Sequence, residues 1–171
     1  DWERYAFIKA RCATGDIATG EDFLKWLRPF IFRKHIDYGA LESLRDMKQL
    51  INQEVAKRSM QEDVKLGPGG IREVEFIVQS QQLIWGGQKP ELRQRRLLET
   101  LTLLSEGEYL PADMVESLRA AYIFLRNTEH AIQAEHDQQT QQLPTNDTSC
   151  MRIANALDFS SYEAFDAVLT S

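Results

Sequence analysis

Apolar residues recur along this chain with the period of helices, and almost nowhere with the alternation of strands. The stretch at 2–13 contains no Gly or Pro and predicts a helix stopped near Gly15. Thr19 precedes Asp22 at capping-box spacing, with Asp in place of the usual Glu. Behind it Phe23, Leu24, Leu27, Phe30 and Ile31 form an amphipathic stripe, with a kink expected at Pro29. Leu41, Leu44, Met47, Ile51 and Val55 form the next stripe, a helix over about 41–58. The segment DVKLGPGG at 63–70 is the main punctuation, because Pro68 and three glycines break any helix there.

A helix follows over 71–85, and Gly86-Gly87 ends it. Its stripe is Ile71, Val74, Ile77, Val78 and Ile84, with Phe76 and Leu83 on the far face beside Arg72. A helix apolar on two sides belongs in the middle of a bundle. Further helices are expected over 91–105 and, behind Pro111, over about 112–136. The seam of the latter is Met114, Leu118, Ala121, Leu125 and Ile132. A polar loop at 138–147 precedes two short closing helices, 150–157 and 161–169. The fold class is therefore all-α, a bundle of about eight helices with mostly short connections. No internal repeat of fixed period is present.

Composition narrows the function classes. With 171 residues, 43% hydrophobic and 27% charged, the chain has ordinary globular composition and can bury a core of its own. No stretch approaches the roughly 18 apolar residues of a membrane span, and the charged start offers no signal peptide. Cys12 and Cys150 are too few and too far apart for a disulfide framework or zinc ribbon, so both read as packing residues. A reducing, cytoplasmic compartment is the expectation. Net charge is −6, and residues 67–171 hold 8 Lys/Arg against 15 Asp/Glu. That half lacks the basic field that nucleic-acid binding needs. The chain opens inside a helical pattern without a Met and reads as a piece of something longer.

Few residues carry recognisable chemistry. Glu73 and Glu75 resemble a spaced acidic pair, but on a helix they diverge by roughly 200° and cannot share one Mg²⁺. They read as flank carboxylates paired with Arg or capping groups, and no metal site is expected. KLGPGG is followed by a helix start, so with Lys65 and Arg72 it is either an anion cradle or a tight turn. It lacks the Lys and Ser/Thr of a P-loop. Lys9 shares a face with Trp2 and Tyr5, where it either snorkels or projects into a phosphate-binding cleft. Glu129 falls on the seam of the long helix. It must meet a cation there, with Arg72 the favoured partner and Arg126 the other candidate. Catalysis by Glu129 is a minor alternative. No H-E-x-x-H or G-x-S-x-G occurs.

Several strings together resemble one family: WERYAFIKAR at 2–11, LRPFIFRK at 27–34, SLRDMK at 43–48, KLGPGGIREVEFIVQ at 65–79, LRNTEHAIQ at 125–133 and DQQTQQLP at 137–144. They are similar to the bifunctional glutamine-synthetase adenylyltransferase/adenylyl-removing enzymes of bacteria. Members have two homologous halves, and the second reads W-E-x-Q-A-L-x-R-A-R and G-G-I-x-D-I-E-F. Tyr5, Lys9, Arg72 and Glu73 stand at the differing positions, so the resemblance implies the first half. That half removes AMP from a modified tyrosine of glutamine synthetase by phosphorolysis, giving ADP.

The resemblance implies that 1–60 are the helical tail of a nucleotidyltransferase domain with its connector. It makes 61–171 a helical domain similar to that of the nitrogen-signalling uridylyltransferase. The Gly-Ser/Asp-x-Asp strand that holds Mg²⁺ in the family is not in this sequence. The piece alone is then expected to be inactive, with no catalytic residue of its own. Lys9, Arg11, Lys65 and Arg72 become candidates to lie near nucleotide or phosphate, and ATP, ADP and phosphate the parent's substrates. Glutamine synthetase and a PII-type signalling protein are the implied partners, with no nucleic acid and no membrane. The competing expectation is a non-enzymatic helical interaction module whose acidic C-terminal half docks a partner.

Overall fold

The structure, a computed structural model, describes residues 2–34, 42, 45–50, 53, 62–137 and 139–170. Among them the regular elements are α1 (Trp2–Phe7), α2 (Ile17–Ile31), α3 (Ile71–Trp85), a 3-10 turn (Pro90–Leu92), α4 (Leu97–Glu106), α5 (Ala112–His136), α6 (Asp147–Ala156) and α7 (Tyr162–Leu169). No strand occurs among the described residues, only an isolated antiparallel bridge between Asp63 and Gln142. The fold is all-α, as the periodicity requires. The helix expected over 41–58 lies largely outside the described residues; within it, 42, 45–50 and 53 are helical. The chain divides into two compact units, Asp1–Ile51 with Glu75–Glu116, and Asn52–Val74 with Ser117–Ser171.

In the first unit Ile8, Ile31, Phe32 and Leu83 form a buried cluster, with Tyr5 and Leu27 packed against it. Helix α1 is shorter than expected. Ile8 donates its N–H to the Tyr5 carbonyl and Ala10 to that of Phe7, the tighter spacing that closes a helix. Arg4, 4% exposed, donates Nε and a terminal nitrogen to the Ile31 carbonyl at 3.2 and 3.1 Å. It thereby satisfies a carbonyl that the end of α2 leaves open. The cap of α2 lies three residues before the expected one. Asp16 accepts the Thr19 N–H at 3.1 Å and the Thr19 hydroxyl at 2.7 Å. Helix α2 runs through Pro29 and ends two residues later.

The helix expected over 91–105 is interrupted. The Gln82 amide, 2% exposed, donates to the carbonyls of Leu92 and Gln94 at 2.6 and 2.7 Å. Those carbonyls are spent outside any helix, so only a 3-10 turn precedes α4. Arg93 donates Nε to the Gly86 carbonyl at 2.6 Å and lies over the Phe32 ring. Leu101 and Leu104 of α4 are fully buried. On α5 the seam begins one residue later than expected: Met114 is 46% exposed and Val115 is buried.

In the second unit Leu125, Thr128, Glu129 and Ile132 are the buried face of α5. Helices α6 and α7 are capped by Asn146, which accepts the Ser149 N–H, and by Ser161, which accepts that of Ala164. Phe124, Phe159, Tyr162 and Phe165 form a ring cluster with centroids 5.5–6.2 Å apart. Cys150 is buried and free, donating its thiol to the Pro144 carbonyl.

Candidate functional site

The turn at 63–70 is built from its own hydrogen bonds. The Asp63 carboxylate accepts the N–H groups of Lys65 and Leu66 at 2.9 and 2.8 Å. Gly67 donates to the Asp63 carbonyl, Gly70 to Gly67, Ile71 to Val64 and Arg72 to Lys65. Gly69, at φ +71°, donates its N–H to the Glu73 carboxylate at 3.3 Å. A Cβ on Gly70 would stand 2.8 Å from the Val64 carbonyl oxygen, so the turn also excludes a side chain there. Its flank is held by Val64 donating to the Gln141 carbonyl and Leu143 to that of Glu62. The N–H groups that would cradle an anion are thus spent within the turn. The geometry is that of a tight turn that presents a side chain.

That side chain is Lys65. Its Nζ lies 3.1 Å from Glu129 Oε1, and an Arg126 terminal nitrogen lies 2.7 Å from Oε2. The Glu129 side chain is 3% exposed, against 31% for Lys65 and 38% for Arg126. A carboxylate so buried persists as an ion only when paired, and two cations answer it here. The expectation that Arg72 is its partner is corrected. Arg72 follows fully buried Ile71 at the start of α3 and is itself exposed. Lys65 reaches Glu129 because the turn, rather than the helix, carries it there. Arg126 is the helical neighbour three residues before Glu129, and it does make the contact.

The first unit holds a second cation–carboxylate pair. Lys9 Nζ lies 2.8 Å from Glu75 Oε1, both side chains half-buried. The Tyr5 and Phe76 rings pack at 5.7 Å, and Lys48 Nζ lies 5.9 Å from the Phe76 centroid. Arg11 is exposed. Glu73 and Glu75 therefore have separate partners, the Gly69 N–H and Lys9. The apolar face of α3 is also wider than its stripe. Phe76 and Leu83 are buried with Ile71, Val74 and Val78, whereas Ile77 is 39% exposed.

No three His, Cys, Asp or Glu side chains among the described residues converge as a metal ion requires. Nothing in the donor set of the described residues fits Mg²⁺. No helix of the described residues is long and apolar enough to cross a membrane.

Sequence reasoning passed over two buried polar residues that tie segments together, Arg4 and Gln82. Gln82 had a signal, since it continues the line of Ile71 and Val78 where an apolar residue belongs. Arg4 had none, because its acceptor lies 27 residues away.

The family model described as GlnD PII-uridylyltransferase matches residues 45–170. A relative from Pseudomonas aeruginosa, named bifunctional glutamine synthetase adenylyltransferase/adenylyl-removing enzyme, is 54% identical over 165 residues, 96% of this chain. Proteins of the same name from Pseudomonas syringae and Nitrosococcus oceani are 53% and 50% identical over 96% and 99% of the chain. The chain spans 17% of the length of each of these relatives.

Proposed function

Because the chain belongs to the GlnD PII-uridylyltransferase family, we propose that it is a helical portion of an enzyme that regulates glutamine synthetase by adenylylation and phosphorolytic deadenylylation. The observation that carries this reading is the 48–54% identity to enzymes named for that activity, sustained over at least 96% of the chain. Tyr5, Lys9, Arg72 and Glu73 favour the half that removes AMP, releasing ADP when phosphate attacks the adenylyl-tyrosine. Residues 1–60 then continue a nucleotidyltransferase domain, and 61–171 form the helical domain that follows it.

In this reading the carboxylates that hold Mg²⁺ belong to the rest of the parent protein, as does the reacting centre. Phosphoryl and nucleotidyl transfer rest mainly on neutralising charge and on positioning. Cationic side chains are what a helical portion contributes to that work. Lys65 is held by Glu129 and the turn, and Lys9 by Glu75, each side chain about a third exposed. Arg11 and Arg72 are exposed and available to a polyanion. Glutamine synthetase and a PII-type signalling protein are the proposed partners, and the cytoplasm is the proposed compartment.

The test is release of ADP from adenylylated glutamine synthetase with phosphate and Mg²⁺. The parent protein should turn over and this chain alone should not. Turnover by the chain alone would place the reacting centre here. An inactive parent would remove the reaction itself.

A further inference from the structure

On the second unit a groove of about 1080 Å³ runs along one face of α5. Ser117, Ala120, Ala121, Phe124 and Leu125 supply that face, at the i, i+3, i+4, i+7, i+8 spacing of a helix contact surface. The far wall is the last turn of α7, and the glycine turn closes the remaining side. Small residues at one end and larger apolar ones at the other leave room for the ridge of another helix.

Among the described residues the charged lining is of one sign. Glu62, Asp63 and Asp166 line the groove, and an adjoining depression that shares Glu62, Leu143 and Asp166 adds Asp147 and Glu163. No Lys, Arg or His lines either one among the described residues. The C-terminal turn of α7 adds the negative end of its helix dipole. Tyr162 lines the second depression. Burial above all, with a smaller contribution from the Asp166 and Glu62 carboxylates, pushes its phenol up to about 12.

We propose that this groove is a docking site for a basic amphipathic helix of a partner protein, whose apolar face lies on α5 while flanking Lys or Arg meet Glu62 and Asp166. An apolar floor selects a helix by its i, i+3, i+4 anchors, and a rim of one charge selects the sign of its flanks. This goes beyond the proposed reaction and does not depend on it.

The experiment uses the full-length parent protein and a fluorescein-labelled helical peptide of leucine and lysine, read by anisotropy. Saturable binding that weakens with added salt is expected. Charge reversal at two exposed rim positions, Glu62→Lys with Asp166→Lys, should weaken it by about tenfold or more. Ala121→Trp, which fills the floor, should abolish it. The proposal is overturned if the parent does not bind the peptide, as when its own chain occupies the groove. It is equally overturned if the charge reversals leave binding unchanged, or if a leucine–glutamate peptide binds as well.

Discussion

Lys65 and Glu129 are 64 positions apart in the chain and meet at 3.1 Å, joining the glycine turn to the buried face of α5. The carboxylate is sequestered, and both of its cations keep about a third of their surface in water. That asymmetry sets the energetics. Glu129 cannot be solvated in place, whereas Lys65 and Arg126 recover part of their hydration if the pair is broken.

Glu129→Gln should therefore destabilise the protein by about 1–3 kcal/mol, the range for a disrupted buried polar contact. Lys65→Met should cost less, because Arg126 still answers the carboxylate. Urea unfolding of both variants and the double variant measures the coupling between the two positions. Strict additivity would mean that the contact contributes nothing.

Leu125 lies one turn before Glu129 on the same face and is 6% exposed. Leu125→Ala should cost about 2–5 kcal/mol through lost burial and the cavity left behind. A loss below about 0.5 kcal/mol in denaturant unfolding would mean that this face is not packed.

Asp16 caps α2 with a titratable side chain. Its hydrogen bonds from the Thr19 hydroxyl and N–H hold the carboxyl below the usual carboxylate range. A depressed folded-state value means stability that is present above the unfolded-state value and lost as pH falls through the folded one. Thermal unfolding from neutral to about pH 3 should show Asp16→Asn losing less stability on acidification than the parent sequence. Identical pH profiles would exclude the cap as a source.

Glu108 ends the α4 turn at φ +56°, a backbone region that favours glycine. Glu108→Gly should raise the melting temperature modestly, by relief of strain worth about 1 kcal/mol or less after the entropy of glycine is set against it. A lower melting temperature would show that the Glu108 side chain stabilises the turn.

Helices whose bounds depend on their own periodicity and punctuation were legible in the sequence. Helix α3 begins at Ile71 and ends at Trp85 because glycines stand on both sides, and α5 begins behind Pro111. Features set by distant partners were not legible. Gln82 withdraws two carbonyls from the helix expected over 91–105, and Arg4 closes α2 from another element. At the candidate site, the charge on the α5 seam announced that Glu129 needs a cation. Which cation depended on the path of the 63–70 turn, which no periodicity describes. The ring and apolar lining of the groove are likewise assembled from segments remote in sequence.

The most direct measurement assays both half-reactions of the full-length parent protein carrying Lys65→Ala with Lys9→Ala. ADP release from adenylylated glutamine synthetase should fall by at least tenfold, with adenylyl transfer to the unmodified enzyme retained. Loss of transfer with phosphorolysis intact, or equal loss of both, would contradict the assignment of this chain to the half that removes AMP.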